Sequence, residues 1–417
     1  MLGVKSGSRP PHAAHDRARR FEARDFGSSA ADGLGDLLAP ARTGTATYLP
    51  KTSFARHLED RVNQYFDSTG QRRRDSARMY LKTSVMLVWL ASSYLALVLV
   101  VRTPWEAVLG ALSLGLAMAG VGFNVQHDGG HGAYSEHAWV NKAMALSLDL
   151  LGGTAYFWHF KHNIAHHTHP NVQGHDDDIN LGILGRVSPY QKWYPLHRFQ
   201  CGYLWVVYSM LALEWQTTGE FRNLISKRRV GSTRVPFPRG REQLIFWVGK
   251  VVFFGLAFGL PLSRHSFGRV LVIYAIAAGT LGLVLATVFQ LAHCSDRASF
   301  RMPCQGQTSV ERPWAEHQVE TAVDFGRSNR WLCWYLGGLN FQVVHHLFPK
   351  ICHVHYPALA PIIEDVCSQH GVKYFAFPSA RAALRSHVRW LRVMGRPPQL
   401  DATQNPDHNQ VQGVTAG

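Results

Sequence analysis

Twenty-three histidines lie along the 417 residues, and the informative ones are clustered. Three groups stand out: His127-Asp128-Gly129-Gly130-His131, His162-Asn163-Ile164-Ala165-His166-His167 and Gln342-Val343-Val344-His345-His346. In the first two, a spacing of i to i+4 sets two imidazoles on one face of a helix, one turn apart, where both can reach one metal centre. The extra histidine of each doublet can turn towards a second metal. A lone surface histidine is usually solvated, but seven in three spaced clusters form a ligand set. Imidazole suits iron, copper, zinc and nickel, so ligand type alone leaves the metal open. A tetrahedral zinc takes four ligands, fewer than these groups offer, whereas two five- or six-coordinate ions would use them. Ligating histidines commonly pass their second N–H to a carboxylate. Asp128 and the run Asp176-Asp177-Asp178, with Asp178 at its end, are available for that role.

Ligands so far apart in sequence need elements that bring them together. Four stretches, 84–101, 107–123, 244–262 and 270–290, are long and nearly free of charge. Each approaches the roughly 20 residues that a helix needs to cross ~30 Å of hydrocarbon. They are apolar all round, without the polar stripe of a soluble core helix. None holds a histidine, aspartate or glutamate, which argues against a metal transporter or sensor, whose ligands would line a path through the membrane. An even number of spans separates every pair of boxes, so all three fall on one side.

Residues 1 to 82 carry fifteen Lys/Arg against nine Asp/Glu, with Arg72, Arg73, Arg74, Arg78 and Lys82 just before the first span. Positive flanks mark the cytoplasmic side. The connections between spans one and two (Arg102, Glu106) and between spans three and four (Arg264, His265, Arg269) are short and weakly charged. They are assigned outside, and the long basic insert, the region after span four and both termini inside. The first thirty residues hold no apolar run bounded by a cleavage site, so no signal peptide is read. The net charge of +15 suits anionic lipid at that face. No basic helix or aromatic-basic module points to nucleic acid.

Residues 1–45 and 396–417 lack periodicity and read as disordered tails around one domain, 46–395. Apolar patches at 143–158, broken by Asp149 and Gly152-Gly153, and at 203–213 read as interfacial or re-entrant helices. The six scattered cysteines read as reduced. Lys250 is placed as snorkelling to the cytoplasmic surface. His159, His169, His175, His317, His353 and His355 are left as groups behind the ligands or at the surface.

On the stretches HDGGHGAYS, WHFKHNIAHHTHPNVQGHDDDINLG and GGLNFQVVHHLFPKICHVHYPALAP the sequence resembles the membrane fatty acid desaturases, over about residues 82–374. A third box that begins with Gln342 is similar to the front-end branch and its bacterial relatives, which act on acyl-CoA or acyl-lipid. The resemblance implies an all-α fold: four membrane helices in two hairpins, with a cytoplasmic helical cap holding a diiron centre. It implies that His127, His131, His162, His166, His167, Gln342, His345 and His346 bind the two irons, joined by His293 in FQLAHCSD. The His-Pro-Gly-Gly motif of a fused b-type haem domain does not occur in the sequence, so a separate donor is implied, a ferredoxin or a b-type cytochrome with its reductase. An unactivated methylene has no proton that a side chain could remove, so acid–base chemistry cannot dehydrogenate an acyl chain. The implied activity is O2-dependent insertion of a cis double bond, with a lipid hydroxylase or ketolase as the alternative. The composition leans towards a bacterial plasma membrane.

Overall fold

Among the described residues four helices are long and apolar enough to cross a bilayer: Ala77–Val100, Pro104–His131, Arg241–Leu262 and Phe267–His293. They cover the four expected stretches, apart from Val101, and run beyond them. In this computed structural model residues 47–225, 229–302 and 309–398 are described. The expected tail 1–45 and all but 396–398 of the other lie outside the described residues, as do Lys227, Arg228 and Cys304. At 1.5 Å per residue the 28 residues of span two reach about 42 Å, well over the ~30 Å of hydrocarbon, so its last turns project beyond the apolar layer. Span two starts sharply because Pro104 suits a first helical turn and Glu106 Oε2 accepts the backbone N–H groups of Arg102 and Thr103 at 3.1 and 3.0 Å.

Span two is the central one, with 61% of its apolar window buried against 28%, 22% and 33% for spans one, three and four. The outer spans leave Leu81, Val88, Leu99, Val251 and Val272 exposed, an apolar surface too continuous for water and suited to lipid. The connection between spans three and four clasps span one, with His265 Nε2 at 3.1 Å from the Val98 carbonyl and Arg269 donating to the Val101 carbonyl at 2.7 Å. The histidine-bearing ends of spans two and four are their C-terminal ends, opposite this clasp.

The insert after span two is built of short helices. Between Ser147–Leu150 and Ala155–Trp158 the chain turns at Gly152, whose φ of +89° and whose approach to Phe253 and Gln216 leave no room for a Cβ. Asp149 accepts the Ala155 N–H at 3.1 Å, and burial pushes its carboxyl up to about 7. Lys250 corrects the sequence reading. It does not reach the surface but is buried, 2.7 Å from Glu220 Oε2 and donating to the Gly152 carbonyl at 2.7 Å. A charge taken out of water needs such partners, and the carboxylate and the carbonyl supply them where the sequence showed none.

Helix Ser53–Thr69, ahead of span one, joins the helices Trp314–Thr321, Gln342–Leu347 and Tyr356–Gln369 that follow span four, on a shared core of Leu58, Val319, Val343, Leu359 and Ile363. The fold is mostly helical but not strictly all-α. Among the described residues there are three two-stranded pairs: Thr47–Leu49 with Ser309–Pro313 (parallel), Arg229–Val230 with Thr233–Arg234 (antiparallel) and Asp324–Phe325 with Ala376–Phe377 (parallel). They fasten chain crossings that helices do not make. The five described cysteines are free.

Candidate metal centre

The first box is not a separate element after span two but its last turn. A five-residue π-helix, Gly122–Gln126, precedes His127–His131, and Gly132 ends the helix in the left-handed region. Wide turns of this kind re-aim the residues that follow and recur at functional sites. Gly130 is required by packing, because a Cβ there would meet the Trp158 ring at 2.2 Å. His293 is likewise the final residue of span four. The second box departs from the expected α-helix: His159–His166 is π-helical. With i to i+5 closure, His162, His166 and His167 still share a face, but His166 and His167 diverge to either side of it. The third box is the helix Gln342–Leu347, tied down where Asp324 Oδ1 accepts the Val343 N–H at 2.9 Å.

These elements converge on two groups. His127, His131, His162 and His345 offer ring nitrogens that all lie within 4.8 Å of one another, and so do His166, His293 and His346. His167 joins the first group, its Nε2 at 3.2 Å from that of His162 and 2.9 Å from that of His345. Gln342 joins the second, its amide nitrogen at 3.0 Å from His293 Nε2 and 3.2 Å from His346 Nε2. Turned over about its last bond, the amide would present its oxygen there instead.

Proton placement tests whether a cation fits. His166 Nδ1 lies 3.0 Å from Asp176 Oδ2, His293 Nδ1 3.0 Å from the Thr321 carbonyl and His346 Nδ1 2.8 Å from Gln318 Oε1. Each faces an acceptor, so the ring proton sits on Nδ1 and the Nε2 lone pair points inward. His345 Nδ1 is 3.3 Å from the Tyr356 hydroxyl. His131 Nε2 and His166 Nε2 are buried without a hydrogen-bond partner. Converging, unprotonated nitrogens in a dry site are costly by themselves and become favourable around a metal ion. The donor set therefore fits two nitrogen-bound metals.

Charge states agree. Burial first, then neighbouring imidazoles, holds His162, His167, His345 and His346 well below the usual histidine range, so they are neutral at pH 7. His166 differs: burial pulls it down, but the Asp176 carboxylate outweighs that and raises it. Asp178 lies 3.9 Å from His166 Nδ1 and pairs with Lys161 Nζ at 3.0 Å, leaving Asp176 as the closer support. Asp128 backs none of the box imidazoles directly. It accepts both the ring and the backbone N–H of His353, at 2.9 and 3.2 Å, and His353 Nε2 faces Lys82 Nζ at 2.9 Å. His169, His175, His317, His353 and His355 are buried and His159 is exposed. Spacing in the sequence gave no sign of Gln318, Thr321 or Tyr356.

Between the spans lies an apolar cavity of about 420 Å³, walled by Leu90, Leu114, Met118, Phe253 and Ile273 among others and reaching as far as His265. Gln216 lines it together with Tyr94, Tyr274 and His265, accepting from the Tyr274 hydroxyl at 3.0 Å and donating to the Leu151 carbonyl at 2.8 Å. Met118 stands nine residues before His127 on one helix, about 13 Å by helical rise.

Comparison with known proteins agrees with this geometry. Residues 103–378 match the fatty acid desaturase family model. The chain is 36% identical to the sn-1 linoleoyl-lipid 6-desaturase of Arthrospira platensis, over 87% of this chain and 98% of that one. It is 36% identical to the enzyme of the same name from Synechocystis sp., over 84% and 97%. It is 35% identical to an acyl-lipid (8-3)-desaturase of Physcomitrium patens, over 81% and 71%.

Proposed function

Because the chain belongs to the fatty acid desaturase family, we propose that its two imidazole groups hold a pair of irons that serve O2-dependent desaturation of an acyl-lipid. That it is a front-end-like membrane fatty acid desaturase, an oxidoreductase, follows from the family. That these groups hold metal is supported by one observation above the others, that His293 and His346 aim unprotonated Nε2 atoms at each other 3.1 Å apart, and the choice of iron is supported by the family. His127, His131, His162, His167 and His345 would hold one ion, and His166, His293, His346 and Gln342 the other. Bound there, the irons would supply the activation of O2 and the abstraction of hydrogen from adjacent methylenes that no side chain here can perform.

The chain's own residues do the rest. Asp176, Gln318 and the Thr321 carbonyl orient the imidazoles and keep them neutral at Nε2. Burial of the groups excludes bulk water. The apolar cavity takes the part of the tail beyond the reacting carbons and so holds the chain in register. Its volume lies in the ordinary range of ligand pockets, roughly 300–1,000 Å³. An acyl-lipid is preferred to acyl-CoA because the two 36%-identical relatives are linoleoyl-lipid enzymes. The boxes, the cap over them and both termini are placed on the cytoplasmic side of a bacterial plasma membrane, in reach of a separate electron donor. Expression in a host of known lipid composition, with location of each new double bond and its lipid class, tests the assignment. A product bearing added oxygen would replace it with hydroxylation.

A further inference from the structure

We propose that the outward face of the C-terminal helix Ala380–Met394 is the docking face for a soluble, acidic one-electron carrier. The proposal rests on the desaturase reading, which requires external electrons. Each turnover converts –CH2–CH2– with O2, two electrons and two protons into –CH=CH– and two waters. Two molecules of reduced carrier must each give up one electron, so the enzyme needs a surface that captures and releases this partner repeatedly.

The sequence reading found no basic helix, but the structure forms one: Arg381, Arg385, Arg389, Arg392 and Arg396 recur at helical spacing and fall in one narrow stripe that runs just past the helix end. All five are exposed. Among the described residues only Arg389 of the five is ion-paired, with Asp296 at 3.1 Å. Directly opposite the stripe, Ala383, Ser386, His387, Leu391 and Met394 are buried. That buried side rests on helix Gln200–Ser209 and the end of span four. Gln200 Nε2 donates to the Leu391 carbonyl at 2.9 Å, and the Tyr208 hydroxyl meets His387 Nε2 at 3.0 Å. A basic helix beside a membrane commonly binds anionic lipid. Here Val206 and Met210, exposed on the far side of the underlying helix and at its end, carry the apolar surface turned to lipid, while on the basic helix itself only Leu384 and Val393 flank the stripe and no apolar residue interrupts it. The arginines point the other way, which favours an acidic protein over lipid.

The stripe is also close to the chemistry. His387 Nδ1 donates to the Cys294 carbonyl at 2.7 Å, and Cys294 is the chain neighbour of His293. One helix thickness, roughly 10 Å, one hydrogen bond and one peptide link separate the arginines from a candidate iron ligand.

The test uses the full chain with its metal in phosphatidylcholine nanodiscs, and a reduced acidic two-iron ferredoxin as the probe. The triple variant Arg381→Glu, Arg385→Glu, Arg392→Glu should slow carrier oxidation by about 10-fold or more at low salt and remove its salt dependence. Iron content and thermal unfolding should not move. The corresponding glutamine triple should fall between, and it decides the matter if the glutamate triple does not fold. Arg56→Glu, on the exposed side of another helix, should leave the rate unchanged. Wild-type carrier oxidation by either triple would overturn the proposal, as would a defect confined to nanodiscs that contain phosphatidylglycerol. Carrier oxidation without any new double bond in the wild type would instead overturn the desaturase reading.

Discussion

His293 and His346 hold their Nε2 atoms 3.1 Å apart while each commits its Nδ1–H elsewhere, to the Thr321 carbonyl and to Gln318 Oε1. Two lone pairs set head to head in a buried site repel unless a cation joins them. On the proposed diiron reading, Gln318 would act on the metal through His346 without touching it. Gln318→Ala should weaken iron retention by roughly 10- to 100-fold, measured by chelator competition on purified protein. Unchanged retention would show that His346 needs no such support.

Gln342 sits where its amide meets both of those nitrogens. If its oxygen binds iron, Gln342→Ala should lose iron and nearly all turnover while still inserting in the membrane, as His345→Ala should. If the amide only donates to neighbours, iron should stay and turnover should fall roughly 10- to 100-fold. Full iron with full activity would remove Gln342 from the centre.

Lys250 and Glu220 form a buried ion pair at 2.7 Å. Lys250→Met strands the carboxylate, which burial already raises above its usual range, and should destabilise the protein by about 3–5 kcal/mol. Adding Glu220→Gln should recover most of the lost thermal stability in detergent. A single variant as stable as the wild type would contradict the pairing.

The pH dependence follows from His162, His167, His345 and His346, whose protonation is held well below the usual range by burial and by each other. In the unfolded chain these rings protonate near pH ~6.5, so below that value the unfolded state binds more protons than the folded one. The metal-free protein should be fully stable above about pH 6.5 and lose stability as the pH falls below it. His166, raised by Asp176, pulls weakly the other way. Thermal midpoints at pH 7.5 and 5.5 check this, and a higher midpoint at 5.5 would reverse the sign.

The spans were legible because lipid removes the need for a polar stripe, leaving runs such as 270–290 apolar on every side. The boxes were legible because His127 and His131, or His162 and His166, sit a turn apart on one chain segment. What escaped lies between segments. Gln318 and Thr321 back imidazoles 28 residues away, and no local period records such a contact. Glu220 claims Lys250 across a fold that hydropathy cannot show. The π-helical winding at His159–His166 also left no mark, since the spacing that fits an α-helical face fits the wider turn as well.

The most direct test of the account is metal analysis joined to product analysis on one preparation of the full chain. The account predicts about two irons per chain, since the imidazoles exceed what one ion can use, and a product lighter than its substrate by two hydrogen atoms. Active protein that reproducibly holds a single zinc and no iron would contradict it.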